Sequence, residues 1–327
     1  MKTKTILVVA AALMAASCSD LNVKNYVAED ENTSSDVRFA VWTDATKAIA
    51  TTDENKVSSL QMFVFGSDGS LEIKSGLKSG VSSVNLQCTK GEKKVVAVVN
   101  APELTTVKTY TDFQSLYSRL ADNKKNKLVM VGDTTITVSM SQSESVEIQV
   151  KRLGVRVALR SIANRLTSKS DMTIKKVYLI NAAGNRTYLG GGAPTLWYNQ
   201  SMCKDEVSEL LTYNISGVVT LTNNGSREFV QNYAYCYPNP VETDTSEKGE
   251  VWTERFTRAV VEAQIGDITC YYPINLPGLK ANTAYNLSLI ITRIGSDDPD
   301  IPVTTNEITY SLDIVDWTDG GYFSETI

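Results

Sequence analysis

The chain has 327 residues, 42% hydrophobic and 21% charged, with a formal net charge of −5. This is a globular composition sized for one large or two medium domains, and the negative charge argues against a nucleic-acid partner, which needs a basic face. The chain has no histidine, which removes histidine triads, histidine general bases and most metal sites, and favours a structural role over catalysis.

Lys2 and Lys4 form a positive region before an apolar run from Ile6 to Ala16. That run is too short for a bilayer, which takes about 20 residues, and residues 1–17 read as a signal peptide. Ala15-Ala16-Ser17 before Cys18 resembles a bacterial lipobox, in which the cysteine is lipidated (palmitate among its acyl chains) after cleavage. Ala15 stands where leucine is commoner, and an ordinary secretory signal with an incidental cysteine is the alternative. Cys88, Cys203, Cys236 and Cys270 are widely spaced with no CxxC, so buried free thiols with at most one bridge are expected.

A polar, acidic tether follows Cys18. Val37, Phe39 and Val41 then alternate with Arg38 and Ala40, predicting a half-buried strand. The small, polar stretch after it carries Lys47. VSSLQMFVF predicts a strand closed by a Gly-Ser-Asp-Gly turn, VSSVNLQC another, and KKVVAVVN a buried central strand. In YTDFQSLYSRLADN, Phe113, Leu116, Tyr117 and Leu120 have helical spacing, and Thr111 and Gln114 have capping-box spacing. TTITVSM and SVEIQV predict a hairpin around residues 141–144, and a new alternating strand begins in KRLGVRVALRSI, which sets a domain boundary near residue 150. Beyond it come TIKKVYLIN, a glycine-rich loop from Leu189 to Pro194, a helical piece at DEVSELL, and four long strand-forming stretches. The expected class is all-β with two short helices, arranged as two tandem β-sandwich domains, 48–150 and 151–327.

No motif carries chemistry. LGGGAPTLW lacks the Lys-Ser/Thr of a phosphate loop. Asp297, Asp298 and Asp300 lack EF-hand spacing and read as a solvated acidic turn. No serine lies in GxSxG. No catalytic residue, metal ligand or cofactor is expected. Near the C-terminus Ile308, Tyr310, Leu312 and Ile314 alternate with Thr309, Ser311 and Asp313. Aligning Trp42-Thr43-Asp44 with Trp317-Thr318-Asp319 sets Val37 and Phe39 against Leu312 and Ile314. Two such strands are either competitors for one groove or ordinary edge strands of common composition.

In order and spacing, the lipobox Cys18, DVRFAVWTDATKAIATTDENKVSSLQMFVF, KKVVAVVN, VKRLGVRVALRSI and NTAYNLSLIITRIGSDDPDIP leading into SLDIVDWTDGG resemble the fimbrillins. This is the major fimbrial subunit (FimA-type) class of type V pilus pilins. The resemblance implies two transthyretin-like β-sandwiches and export as an outer-membrane lipoprotein. It implies that a trypsin-like surface protease cuts after the first strand, and that the vacated groove takes a C-terminal strand from the next subunit. Carried over by position, the cut falls between Lys47 and Ala48, although the family usually has arginine there. Residues 18–47 become a lipidated pro-segment with a removable strand bearing Val37, Phe39 and Val41. The donor strand lies within about 303–327 and bears Ile308, Tyr310, Leu312 and Ile314. The expected function is a stalk pilin precursor, not an enzyme. Its expected partners are identical or related pilin subunits, the processing protease, the outer membrane through the lipid, and host or bacterial surface receptors. The alternatives are an anchor pilin that keeps its lipid, or a monomeric surface lipoprotein binding a glycan or host ligand on a platform of Trp197, Tyr198, Tyr235 and Tyr237.

Overall fold

In a computed structural model the protein is described over residues 34–43, 52–139, 144–204, 208–215, 217–242, 250–301, 303, 308–316 and 323–325. Cys18, Lys47 and Ala48 lie outside these residues.

Among the described residues the first half holds β1 (Ser34–Trp42), β2 (Ser59–Gly66), β3 (Leu71–Lys74), β4 (Lys78–Ser79), β5 (Ser83–Thr89) and β6 (Gly91–Val99). Helix α1 (Tyr110–Ser115), β7 (Tyr117–Arg119), β8 (Met130–Val138), β9 (Glu144–Gln149) and β10 (Lys151–Arg152) follow. The second half opens with β11 (Val155–Asn164), β12 (Met172–Ile180), β13 (Ala182–Ala183), β14 (Asn185–Thr187), β15 (Trp197–Tyr198) and helix α2 (Ser208–Leu211). It continues with β16 (Val219–Leu221), β17 (Ser226–Glu228), β18 (Tyr233–Cys236) and β19 (Thr257–Ile265). It closes with β20 (Ile268–Leu276), β21 (Thr283–Ile291), β22 (Ile308–Asp316) and β23 (Phe323–Glu325). The class is therefore all-β.

In the first half a three-stranded sheet, β5-β1-β9, packs on a larger sheet ordered β10-β8-β6-β2-β3, with β4 also on β2. Val37, Phe39 and Val41 of β1 meet Leu60, Met62 and Val64 of β2 and Val95, Ala97 and Val99 of β6 in one core. Strands β2 and β6 are apolar on both faces. Their opposite side chains, Phe63, Phe65, Val96 and Val98, join a second core, which explains the unbroken run KKVVAVVN. There the Phe113 ring lies 5.4 Å from Phe63 and 5.8 Å from Tyr188.

The second half pairs a sheet ordered β17-β11-β21-β22-β23, with β18 on β11, against a sheet ordered β16-β12-β19-β20. Its core is continuous with the outer face of the first half, since Phe63, Phe65 and Phe113 share a cluster with Val155, Val177, Leu287 and Leu312. Strands β7 and β14 also pair across the two halves.

Two expected elements differ. The helix stops at Ser115 rather than running on towards residue 123, because Thr109 and Asp112, not Thr111 and Gln114, form the capping box and Leu116 is already extended. Tyr117–Arg119 are captured as β7 by their ladder to Asn185–Thr187. The hairpin expected around 141–144 does not form. β8 pairs with β6 and β10, while β9 pairs parallel to β1 in the other sheet, so this connection crosses between the two layers. The four cysteines are free, with Cys88, Cys236 and Cys270 buried and Cys203 half-buried. Burial pushes the Cys88 thiol up to about 11 and Cys236 to about 12, which leaves them protonated and inert.

A shared core predicts joint unfolding. Phe113→Ala is expected to cost about 3–5 kcal/mol in urea denaturation while the transition stays single. A second, separate transition would contradict a shared core.

Candidate functional site: a strand-filled groove

Strand β1 is the middle strand of its sheet. It runs antiparallel to β5, from Ser34↔Thr89 to Ala40↔Ser83, and parallel to β9, from Val37↔Glu144 to Trp42↔Gln149. The Val41 amide donates to the Ser82 carbonyl at 2.8 Å, and the Val150 amide to the Trp42 carbonyl at 2.9 Å. Alternation does the rest. Val37 and Phe39 are fully buried and Val41 nearly so, while Arg38 and Trp42 face outward. Arg38 donates to the Ser145 hydroxyl at 3.4 Å. Burying three such side chains contributes on the order of 5–9 kcal/mol before ordering costs.

The walls on either side of β1 are tied to the larger sheet independently of it. Strand β5 turns into β6 through Lys90 and Gly91, whose φ of +114° only glycine adopts readily. Strand β9 runs into β10, which pairs with β8. A Cβ at Gly132 of β8 would overlap the Gln149 carbonyl, so glycine there is what lets β9 close onto β8. With β1 absent, β5 and β9 would present unpaired N–H and C=O groups on both sides of an apolar floor, which is a template for another strand.

Past residues 44–51, which lie outside the described residues, the chain is pinned again. Glu54, fully buried in a one-turn 3-10 helix (Thr52–Asn55), is ion-paired with Arg156 at 2.9 Å. Its carboxylate accepts from the Tyr235 hydroxyl. Its carbonyl accepts from Arg152 Nε at 3.2 Å, and Arg152 Nη1 donates to Asn282 Oδ1 at 3.1 Å. Burial and the neighbouring Glu54 carboxylate push the Tyr235 phenol far up, so it stays a donor. This cluster is all but invisible in the sequence. Its only trace is a pair of arginines, Arg152 and Arg156, in an otherwise buried β-forming stretch.

The C-terminal candidate strand is placed within this chain's own sheet. β22 pairs with β21 from Thr283↔Asp316 to Ile291↔Ile308, and with β23 over Leu312↔Glu325 to Ile314↔Phe323. Ile308 and Leu312 are buried, Tyr310 is half-buried and Ile314 is 37% exposed. Its likeness to β1 has a plain origin, since both are middle strands with one inward face.

Other candidates do not assemble into a site. The glycine-rich loop borders an open cleft of about 370 Å³ with Arg186, Pro238 and Pro240. Asp300 is not in a solvated turn. It is buried and accepts from Arg255 Nη1 at 2.8 Å, from Arg258, from Asn181 Nδ2 at 2.7 Å and from Ser201 Oγ at 3.0 Å, because Arg255 just before β19 and Arg258 within it draw the loop inward. Among the described residues no cluster of acidic or cysteine side chains could hold a metal ion. The aromatic platform of the glycan-binding alternative does not form, and these side chains lie in the core as the pilin reading expects. Trp197, Tyr235 and Tyr237 are buried, with Trp197 edge-on to Trp252 at 5.6 Å. Tyr237 Oη lies 2.7 Å from Ser118 Oγ and accepts from Asn123 Nδ2 at 2.8 Å, so its polar end is used between the halves.

Residues 36–175 match the family model of the major fimbrial subunit protein (FimA). The matched stretch begins at β1, includes both walls of its groove and ends inside β12. Among solved structures, a fimbrilin from Porphyromonas gingivalis is 14% identical with a TM-score of 0.59, over 86% of this chain and 97% of that one. A protein from Bacteroides eggerthii proposed to act in cell adhesion is 15% identical with a TM-score of 0.61, over 86% and 96%. One of the same description from Parabacteroides distasonis is 17% identical with a TM-score of 0.61, over 87% and 99%. At such identities the likeness speaks for the fold, which is fimbrilin-like. No curated protein matches the chain.

The close approach at Gly132 is testable. Gly132→Ala should destabilise by at least about 2 kcal/mol, whereas Gly69→Ala, at φ +80° with open space around it, should cost about 1 kcal/mol. Equal losses of thermal stability would contradict the contact.

Proposed function

We propose that this chain is the precursor of a stalk-forming pilin, a structural subunit rather than an enzyme, which polymerises by donor-strand exchange once β1 has been removed. The observation that carries the reading is the place of β1. It is a middle strand held on both sides, buried on one face and followed at once by the segment that contains Lys47. The family match over the groove supports it.

In this reading the chain is exported as an outer-membrane lipoprotein with lipid on Cys18. A trypsin-like surface protease cuts between Lys47 and Ala48, and residues 18–47 leave with the lipid. The remaining 48–150 and 151–327 form the two domains of the subunit. The groove between β5 and β9 then accepts a strand from residues 303–327 of the next subunit. Main-chain pairing supplies affinity, and the pockets left by Val37, Phe39 and Val41 supply specificity. The contact is head-to-tail and does not close, so it propagates as a fibre at the cell surface. Release would begin at β23 rather than β22, because β23 is tied by three residue pairs and β22 is laddered to β21 over its whole length. Related subunits are the primary partners.

Trypsin treatment of the purified precursor is expected to give a new N-terminus at Ala48 and then high-mass, heat-labile polymers. Cleaved protein that stays monomeric with an intact C-terminus would sink the reading. Ile314→Asp should leave the melting temperature of the monomer within about 2 °C of wild type, because Ile314 is 37% exposed and surface changes cost little, yet it should block polymerisation after cleavage. Polymer forming at the normal rate would place the donor elsewhere in the C-terminal segment.

A further inference from the structure

Three basic residues between Ser34 and Ser59 could serve a trypsin-like protease: Arg38, Lys47 and Lys56. Arg38 is laddered on both sides within β1. Lys56 differs, because its side chain is exposed and its charge suits the protease, yet its backbone is fixed. The Lys56 carbonyl accepts from Asn100 Nδ2 at 2.8 Å, and the Ser58 amide donates to Asn100 Oδ1 at 2.8 Å. Asn100 is itself buried and donates to the Leu128 carbonyl at 2.9 Å. Two residues upstream stands Glu54, held by Arg156, Tyr235 and Arg152.

A protease of this kind needs several residues on each side of the scissile bond drawn out as an extended strand. For Lys56 that means pulling Glu54 from its buried ion pair and breaking the Asn100 contacts together, so cleavage there waits on a costly local opening. We infer that the Glu54–Arg156–Tyr235 cluster is a proteolytic stop, which shields Lys56 and so confines processing to the bond after Lys47. The inference rests on the reading that β1 is removed by proteolysis, and it adds which residues set the limit. A cut at Lys56 would release the Glu54 carboxylate from Arg156 and free the chain entering β2, the floor of the groove.

Limited trypsin digestion of the full chain, followed by N-terminal sequencing and intact mass, tests it. Wild type should yield Ala48 and no Val57 N-terminus. Glu54→Gln should raise the Val57 product by at least about tenfold, because cleavage through local opening tracks the opening equilibrium. Tyr235→Phe, which keeps the ion pair, should raise it less but in the same direction. Circular dichroism checks that the variants are folded, and if Glu54→Gln does not fold, Tyr235→Phe decides. Folded variants that yield only Ala48, or a wild-type chain cut first at Lys56, would overturn the inference. Wild type cut at Ala48 that never polymerises would instead remove the pilin reading and leave the stop intact.

Discussion

The two-sided backbone pairing of β1 is the constraint on which the rest depends. A middle strand cannot be subtracted from a sheet without leaving two rows of unsatisfied amides and carbonyls. Here those rows belong to β5 and β9, and the floor beneath them is the apolar face of β2 and β6. The walls are anchored at opposite ends, β5 through its turn into β6 and β9 through Gly132 and β10. Under the proposed reading, that anchoring would hold a vacated groove in shape, and shape is what strand addition needs.

The second half answers a different requirement. Its core continues across the seam into the outer face of the first half, and buried polar contacts fix the relation between the two. Glu54 with Arg156 and Tyr235 does so on one element, and Tyr237 with Ser118 and Asn123 on another. Buried charges are costly when broken singly, so this seam is stiff. Under the proposed pilin reading, such a seam would pass load through the fold and confine exchange to the groove of β1.

Much of this was legible in the sequence, and the rest was hidden for physical reasons. Val37, Phe39 and Val41 alternate because one face of β1 is buried, and KKVVAVVN is unbroken because β6 is buried on both. The partners of β9 were not legible. Alternation reports which face is buried but not which strand lies beside it, so two consecutive strands looked like a hairpin when they belong to different layers. The end of α1 was missed because a three-residue ladder to β14 outweighs helical spacing at Leu116 and Tyr117. Tyr235, Tyr237 and Trp197 could be read as a binding platform or as core and subunit contacts, since sequence does not say where a polar end finds its partner, and the structure has them buried. For the same reason Asp300 looked solvated and Glu54 drew no attention.

The central claim concerns the walls of the groove, and amide hydrogen exchange over Ser83–Thr89 and Glu144–Gln149 tests it most directly. The account predicts strong protection in the precursor, loss of protection in cleaved subunits truncated after residue 302, and protection restored in polymer grown from full-length subunits. Walls that stay protected once β1 has gone, or that exchange freely within the polymer, would contradict it.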